Sequence, residues 1–167
     1  LMKRELISKH NLKYDEEYET IEDYKFWLDL SRHTKFGMVP EVLLNYRHLE
    51  TSLSKVAEED GEKRYLSHKK VFSEVLSRLN INNSEKENKL HFIIGLDTRI
   101  VEEDIDLKFL NNYLNKIIQA NKLNKIYDEK SLKFFLAKVP TVLIDPKCIN
   151  NEPSPSIQII FLLLNNE

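Results

Sequence analysis

The chain has 167 residues, 41% apolar and 31% charged, with 25 basic residues against 27 acidic ones and a formal net charge of −2. That length and balance fit one globular domain or two small ones, and they exclude a global field directed at nucleic acid or an acidic polymer. A single cysteine, Cys148, excludes an intrachain disulfide and a cysteine-based zinc site, and three glycines exclude a phosphate-cradling glycine loop.

In chain order, Lys3 to His10 reads as a short helix, followed by an irregular connection over residues 11–16 with Tyr14 as an anchor. Thr20-Ile21-Glu22-Asp23 looks like a helix start: Thr20 is placed to cap, and Asp23, three residues on, to reach back. The helix predicted from there runs over about residues 20–34, with Tyr24, Trp27, Leu28 and Ser31 on one face. Two carboxylates in a first turn also suit the helix dipole, so a capping device is the simplest reading of Glu22 and Asp23.

Residues 35–40 and 41–47 then read as extended segments around Pro40. Val42, Leu44 and Tyr46 fall on one face of the second segment, and Leu43, Asn45 and Arg47 on the other. After a polar loop over residues 50–54, a long helix is predicted from Ala57 or Gly61 to Leu79, with Tyr65, His68, Phe72, Val75, Leu76 and Leu79 on one face.

The polar stretch Asn80 to Ser84 is the clearest linker and ends in a candidate N-cap. Placing the boundary there gives regions 1–79 and 84–167. Glu85 to Leu96 is predicted helical, although Phe92-Ile93-Ile94 also suits a buried strand. A helix from about Ile105 to Lys122 carries Leu107, Leu110, Leu114, Ile117 and Ile118 at core spacing, with Asp104 and Asp106 at its start. Asp128 is placed to cap a further helix, Glu129 to Lys138, which Pro140 is expected to stop. Thr141 to Ile144 reads as a strand. A proline-rich stretch follows, then the uncharged run 157–164, which calls for burial and falls far short of the ~20 residues of a membrane-spanning helix.

Several pieces in one order carry a resemblance. They are Leu1-Met2-Lys3-Arg4, Asn11 through Glu16, Glu22-Asp23-Tyr24-Lys25-Phe26-Trp27-Leu28, and Phe36 through Val39-Pro40-Glu41-Val42-Leu43-Leu44. Tyr46-Arg47 follows, with Ser52 and Ser54 behind it. This series resembles the closing part of the catalytic domain of inverting family 2 glycosyltransferases of the GT-A fold, and it covers about the first third of the chain. The fold expected is therefore α+β and mainly helical: the acceptor-side end of a GT-A domain with its following helix over 1–79, then a helical region over 84–167.

The resemblance implies transfer of a sugar from a nucleotide-diphospho-sugar donor to a glycan or lipid-linked acceptor, of the kind used in bacterial surface polysaccharide synthesis. It casts Asp23 as general base, with Glu22 orienting the base or the acceptor. Arg47, beside Tyr46, contacts the departing diphosphate in that reading, since a guanidinium pairs well with phosphate oxygens. Trp27 is the candidate sugar-facing aromatic, with packing its simpler role. The family's metal-binding histidine stands two residues after the arginine. Here that position is Leu49, and His48 comes one residue early, on the opposite face of a regular strand. His10, His33, His68 and His91 read as surface or helix-face histidines.

The family's donor-binding half, which ends in an Asp-x-Asp motif for Mn²⁺ or Mg²⁺, has no counterpart here. Asp104-Ile105-Asp106 stands in the wrong part of the chain and reads as a helix cap. The expectation is a C-terminal piece of a longer enzyme, inactive by itself and binding no cofactor alone. The expected setting is the cytoplasm, with possible contact to the inner face of the membrane, no nucleic-acid partner, and homodimerisation compatible with the whole. The reading from another class is a helical interaction or dimerisation module in which Glu22 and Asp23 are only a cap.

Overall fold

The computed structural model describes residues 2–18, 20–37, 41, 43, 45, 60–95 and 105–144. Among them the chain is mainly helical and holds no strand. Of the extended segments expected over 35–47, residues 38–40, 42, 44, 46 and 47 lie outside the described residues, as does the whole tail from residue 145 onward. No described helix is long and apolar enough to cross a membrane. The chain divides into two compact units, residues 1–71 and 72–167.

In the first unit, helix α1 (Arg4–Lys9), a 3₁₀ turn (Glu16–Tyr18) and helix α2 (Glu22–Leu30) lead to the long helix α3 (Gly61–Arg78). Helix α3 gives its first part to this unit and its last turns to the second. The core here is Ile21, Phe26, Leu28, Leu30, Tyr65 and Val71. Phe26, Leu28 and Leu30 do not share one stripe, so α2 is enclosed on more than one side. Of the face expected from the spacing, only Leu28 is buried; Tyr24, Trp27 and Ser31 keep part of their surface.

The start of α2 differs from the expected capping box. The residue at the N-cap is Ile21, and no side chain caps the helix. Thr20 sits in the left-handed region at φ 73°, outside the extended conformation a capping threonine adopts. The loop turns sharply there, and the helix begins one residue later than a Thr20 cap would have begun it.

The second unit holds the end of α3, helix α4 (Glu85–Gly95), helix α5 (Leu107–Asn124) and helix α6 (Glu129–Ile144). Its core runs from Phe72, Val75, Leu76 and Leu79 through Leu90 and Ile94 to Leu110, Tyr113, Leu114 and Ile117, then Tyr127, Leu132, Phe135, Leu136 and Val139. Local chemistry sets the helix starts. At α4, the Ser84 N–H donates to Glu87 Oε2 at 2.7 Å, and the Glu87 N–H returns to Ser84 Oγ at 3.3 Å, a complete capping box. At α5, Asp106 Oδ1 accepts the N–H groups of Lys108 and Phe109 at 2.9 and 3.1 Å. At α6, Asp128 Oδ2 accepts the Ser131 N–H at 2.7 Å.

Residues 92–94 are helical rather than a strand, which puts Leu90 and Ile94 one turn apart on the buried face. Pro140 does not stop α6, which runs on to Ile144 through residues expected as a strand. A proline inside a helix loses one amide donor and crowds the carbonyl four residues back. Packing of the buried face of Leu132, Phe135, Leu136 and Val139 outweighs that local cost.

Candidate functional site

The residues singled out by the sequence begin at the first turn of α2. Glu22 and Asp23 are adjacent there, ahead of the first helical hydrogen bond, Lys25 N–H to the Ile21 carbonyl at 3.1 Å. Asp23 is exposed. Its Oδ1 accepts the Tyr24 N–H at 2.7 Å, and its carboxylate makes no other hydrogen bond among the described residues. Glu22 is half-buried, and its Oε2 is shielded from solvent with no hydrogen-bond partner. A carboxylate oxygen so placed costs free energy unless a donor is brought to it.

Trp27 lies one turn further in. Its ring meets Phe26 edge-on at 5.6 Å and Phe36 edge-on at 5.8 Å, so it packs within an aromatic cluster. Tyr14 extends that cluster, meeting Phe26 at 5.2 Å despite a largely exposed side chain. Tyr46, Arg47 and His48 lie outside the described residues.

Helix α3 brings to this turn a residue that the sequence placed only on a helix face. His68 stands with its ring 6.2 Å from that of Tyr24. Its Nδ1 is 2.9 Å from the Arg64 carbonyl, so the ring proton is assigned to Nδ1. Burial holds the imidazole below the usual histidine value. The bond to the Arg64 carbonyl and the negative charge of Asp23 pull the other way. His68 is therefore neutral at pH 7 and within electrostatic reach of Asp23. The signal for this pairing is tertiary, because residues 23 and 68 share no local pattern.

Around the pair, Lys25 is held by Asp29 at 2.8 Å. The ammonium groups of Lys25 and Lys70 lie 5.5 and 5.8 Å from the Tyr18 ring centre, a cation–π arrangement with one ring. His10 and His33 stack with centroids 3.6 Å apart and planes 12° from parallel, tying the end of α1 to the residues after α2. The His10 imidazole is held below its ordinary value by desolvation first, then by His33 and Lys9.

Chemically, the α2 start offers an exposed carboxylate able to take a proton and a second carboxylate with an unused acceptor. Among the described residues, no group of three or more His, Cys, Asp or Glu side chains is placed to hold a metal ion. Comparison with known protein families, with curated proteins and with solved structures finds no match to this chain.

Proposed function

We propose that the chain is the acceptor side of an inverting GT-A glycosyltransferase of family 2, with Asp23 as its general base. The observation that carries this reading is the start of α2. The sequence left two roles for the Glu-Asp pair, capping or chemistry, and no side chain caps α2. Asp23 instead presents its carboxylate to solvent, and Glu22 keeps an unpaired oxygen. The rest of the motif series supports the same reading.

In the proposed reaction, an acceptor hydroxyl on a glycan or lipid-linked sugar approaches Asp23. It gives up its proton to the carboxylate as its oxygen attacks the anomeric carbon of the donor. The nucleotide diphosphate departs from the opposite face, so the configuration inverts. Glu22, half-buried beside Asp23, orients the base or the acceptor, which converts binding into alignment. A Mn²⁺ or Mg²⁺ ion would be held by the donor-binding half and would supply charge neutralisation at the departing diphosphate. Arg47 and Tyr46 belong to the same proposal as contacts to that diphosphate. Trp27 serves it by packing the α2 turn in place. The reaction belongs to surface polysaccharide synthesis at the cytoplasmic side of the membrane.

The test is calorimetric titration with a nucleotide-diphospho-sugar and Mn²⁺. One sample is this chain, and the other is the gene product that carries it together with a donor-binding half. Saturable binding by the longer protein alone is the expected result. Binding by neither returns Glu22 and Asp23 to a solvated helix start and favours the helical interaction module.

A further inference from the structure

The second unit contains a chain of hydrogen bonds that runs in one direction. The Asn83 side-chain amide donates to the Tyr113 hydroxyl oxygen at 2.9 Å, and the Tyr113 hydroxyl lies 2.7 Å from His91 Nδ1. With its oxygen accepting from Asn83, the Tyr113 hydroxyl donates to Nδ1, and the neutral imidazole carries its proton on Nε2. Tyr113 is 1% exposed, and the His91 ring lies 4.6 Å from Phe72 and 5.9 Å from Tyr113.

We propose that this relay is an acid-operated release of α4 from α5, in which a proton taken up by His91 breaks the polar seam between the two helices. Donor counting gives the mechanism. A protonated imidazole presents N–H at Nδ1, where it now holds a lone pair. The Tyr113 oxygen would then have to accept from both Asn83 and His91, stranding its own O–H without an acceptor in a buried place. A charge would also be added to a partly buried ring packed against Phe72 and Tyr113.

Neighbouring groups do not relieve that charge. From α3 the ring meets Phe72, which is neutral. On α4 itself, Glu87 stands one turn earlier, but its carboxylate is spent on Lys116 at 2.7 Å and on Ser84 at 2.7 and 2.9 Å. On α5, Lys116 stands one turn after Tyr113 and is itself cationic. Burial alone moves the His91 imidazole, down to about 4 from an ordinary 6.5.

The same seam includes the Asn82 carbonyl and Asn83 Oδ1, both bonded to Lys116, so the start of α4 and its middle are tied to one face of α5. Release of α4 uncovers Leu90 and Ile94, both buried in the closed state.

The experiment is amide exchange of the whole chain from pH 7 to pH 4, corrected for intrinsic rates, beside an NMR titration of the His91 ring. Opening that restores an ordinary imidazole makes the open form about a hundredfold more populated at pH 4 than at pH 7. The protection of α4 amides is expected to fall by that factor and to lie below that of α5 and α6 amides at each pH, because α4 opens without global unfolding. His91→Gln keeps an acceptor for Tyr113 and cannot take a proton, so its α4 protection is expected to change only through Glu87. That contribution is about fourfold at most at pH 4. A hundredfold fall that persists in His91→Gln overturns the proposal, as does α4 protection equal to that of α5 and α6 at both pH values. Should that variant not fold, the native protein decides: a His91 ring titrating near its ordinary value with α4 protection unchanged overturns it equally.

Discussion

Asn121 offers the sharpest test of the packing described for the second unit. It lies in the last turns of α5 at 2% exposure, and its side-chain amide clamps the backbone of Tyr127 from both sides. Nδ2 donates to the Tyr127 carbonyl at 2.8 Å, and Oδ1 accepts the Tyr127 N–H at 2.8 Å. Between them the chain turns through Lys125 at φ 52°, so this amide fixes how α5 hands over to α6. Asn121→Ala strands one buried donor and one buried acceptor, each costing about 1–3 kcal/mol, so the expected loss is about 2–6 kcal/mol. In urea, with a slope of about 1–3 kcal/mol per molar, the unfolding midpoint should fall by roughly 1–3 M.

Asn121→Asp separates the clamp from mere volume. It keeps the acceptor for the Tyr127 N–H but sets an oxygen against the Tyr127 carbonyl. The introduced carboxyl is pressed to hold its proton in the folded state, so its folded pKa rises above the unfolded value. Stability relative to the native chain then recovers as pH falls. The assay is urea unfolding by far-UV circular dichroism at pH 7 and pH 5, read as the difference from the native protein at each pH. A cost below about 1 kcal/mol for Asn121→Ala, or no recovery for Asn121→Asp, refutes the clamp.

Three further predictions follow from named groups. His91 titrates at about 4 when folded against 6.5 when unfolded, so the unfolded chain binds more protons between those values; stability complete above pH 6.5 should fall by up to about 3 kcal/mol on approaching pH 4, and urea midpoints of the native chain and His91→Gln check this. Leu28→Ala, at a side chain 2% exposed in the first unit, should cost about 2–5 kcal/mol, read by the fluorescence of Trp27, the chain's one tryptophan. Asp23→Asn removes a charge that favours the protonated imidazole, so NMR titration should find His68 at lower pH than in the native chain. An unmoved His68 would contradict the proximity described for residues 23 and 68.

Much of the helical layout was legible because it is local. The 3–4 spacing marked α3 and α5, and Ser84, Asp106 and Asp128 announced their helices by hydrogen bonds to backbone within three residues. Thr20 misled, since the same residue type at φ 73° turns the chain instead of capping it. Pro140 misled because its local cost is visible in sequence and the burial of Val139 and Leu136 that outweighs it is not. Asn121 was within reach: it continues the stripe of Leu110, Leu114 and Ile117, and a polar residue on a core stripe calls for a partner. The links from Asn83 to Tyr113 and His91, like the approach of His68 to Asp23, join residues far apart in sequence and have no local signature. Of the candidate site, Glu22, Asp23 and Trp27 were found by motif order, and the unpaired Oε2 of Glu22 emerged only from packing.

The measurement that bears most directly on the proposed function is sugar transfer by the gene product carrying this chain and a donor-binding half, compared before and after Asp23→Asn. Loss of a positioned general base lowers turnover by about 10²–10⁴-fold. A loss of that order is expected with nucleotide-sugar binding retained in calorimetry, since Asp23 acts on the acceptor side. Turnover within a few-fold of the native protein would contradict it and leave the start of α2 as structure alone.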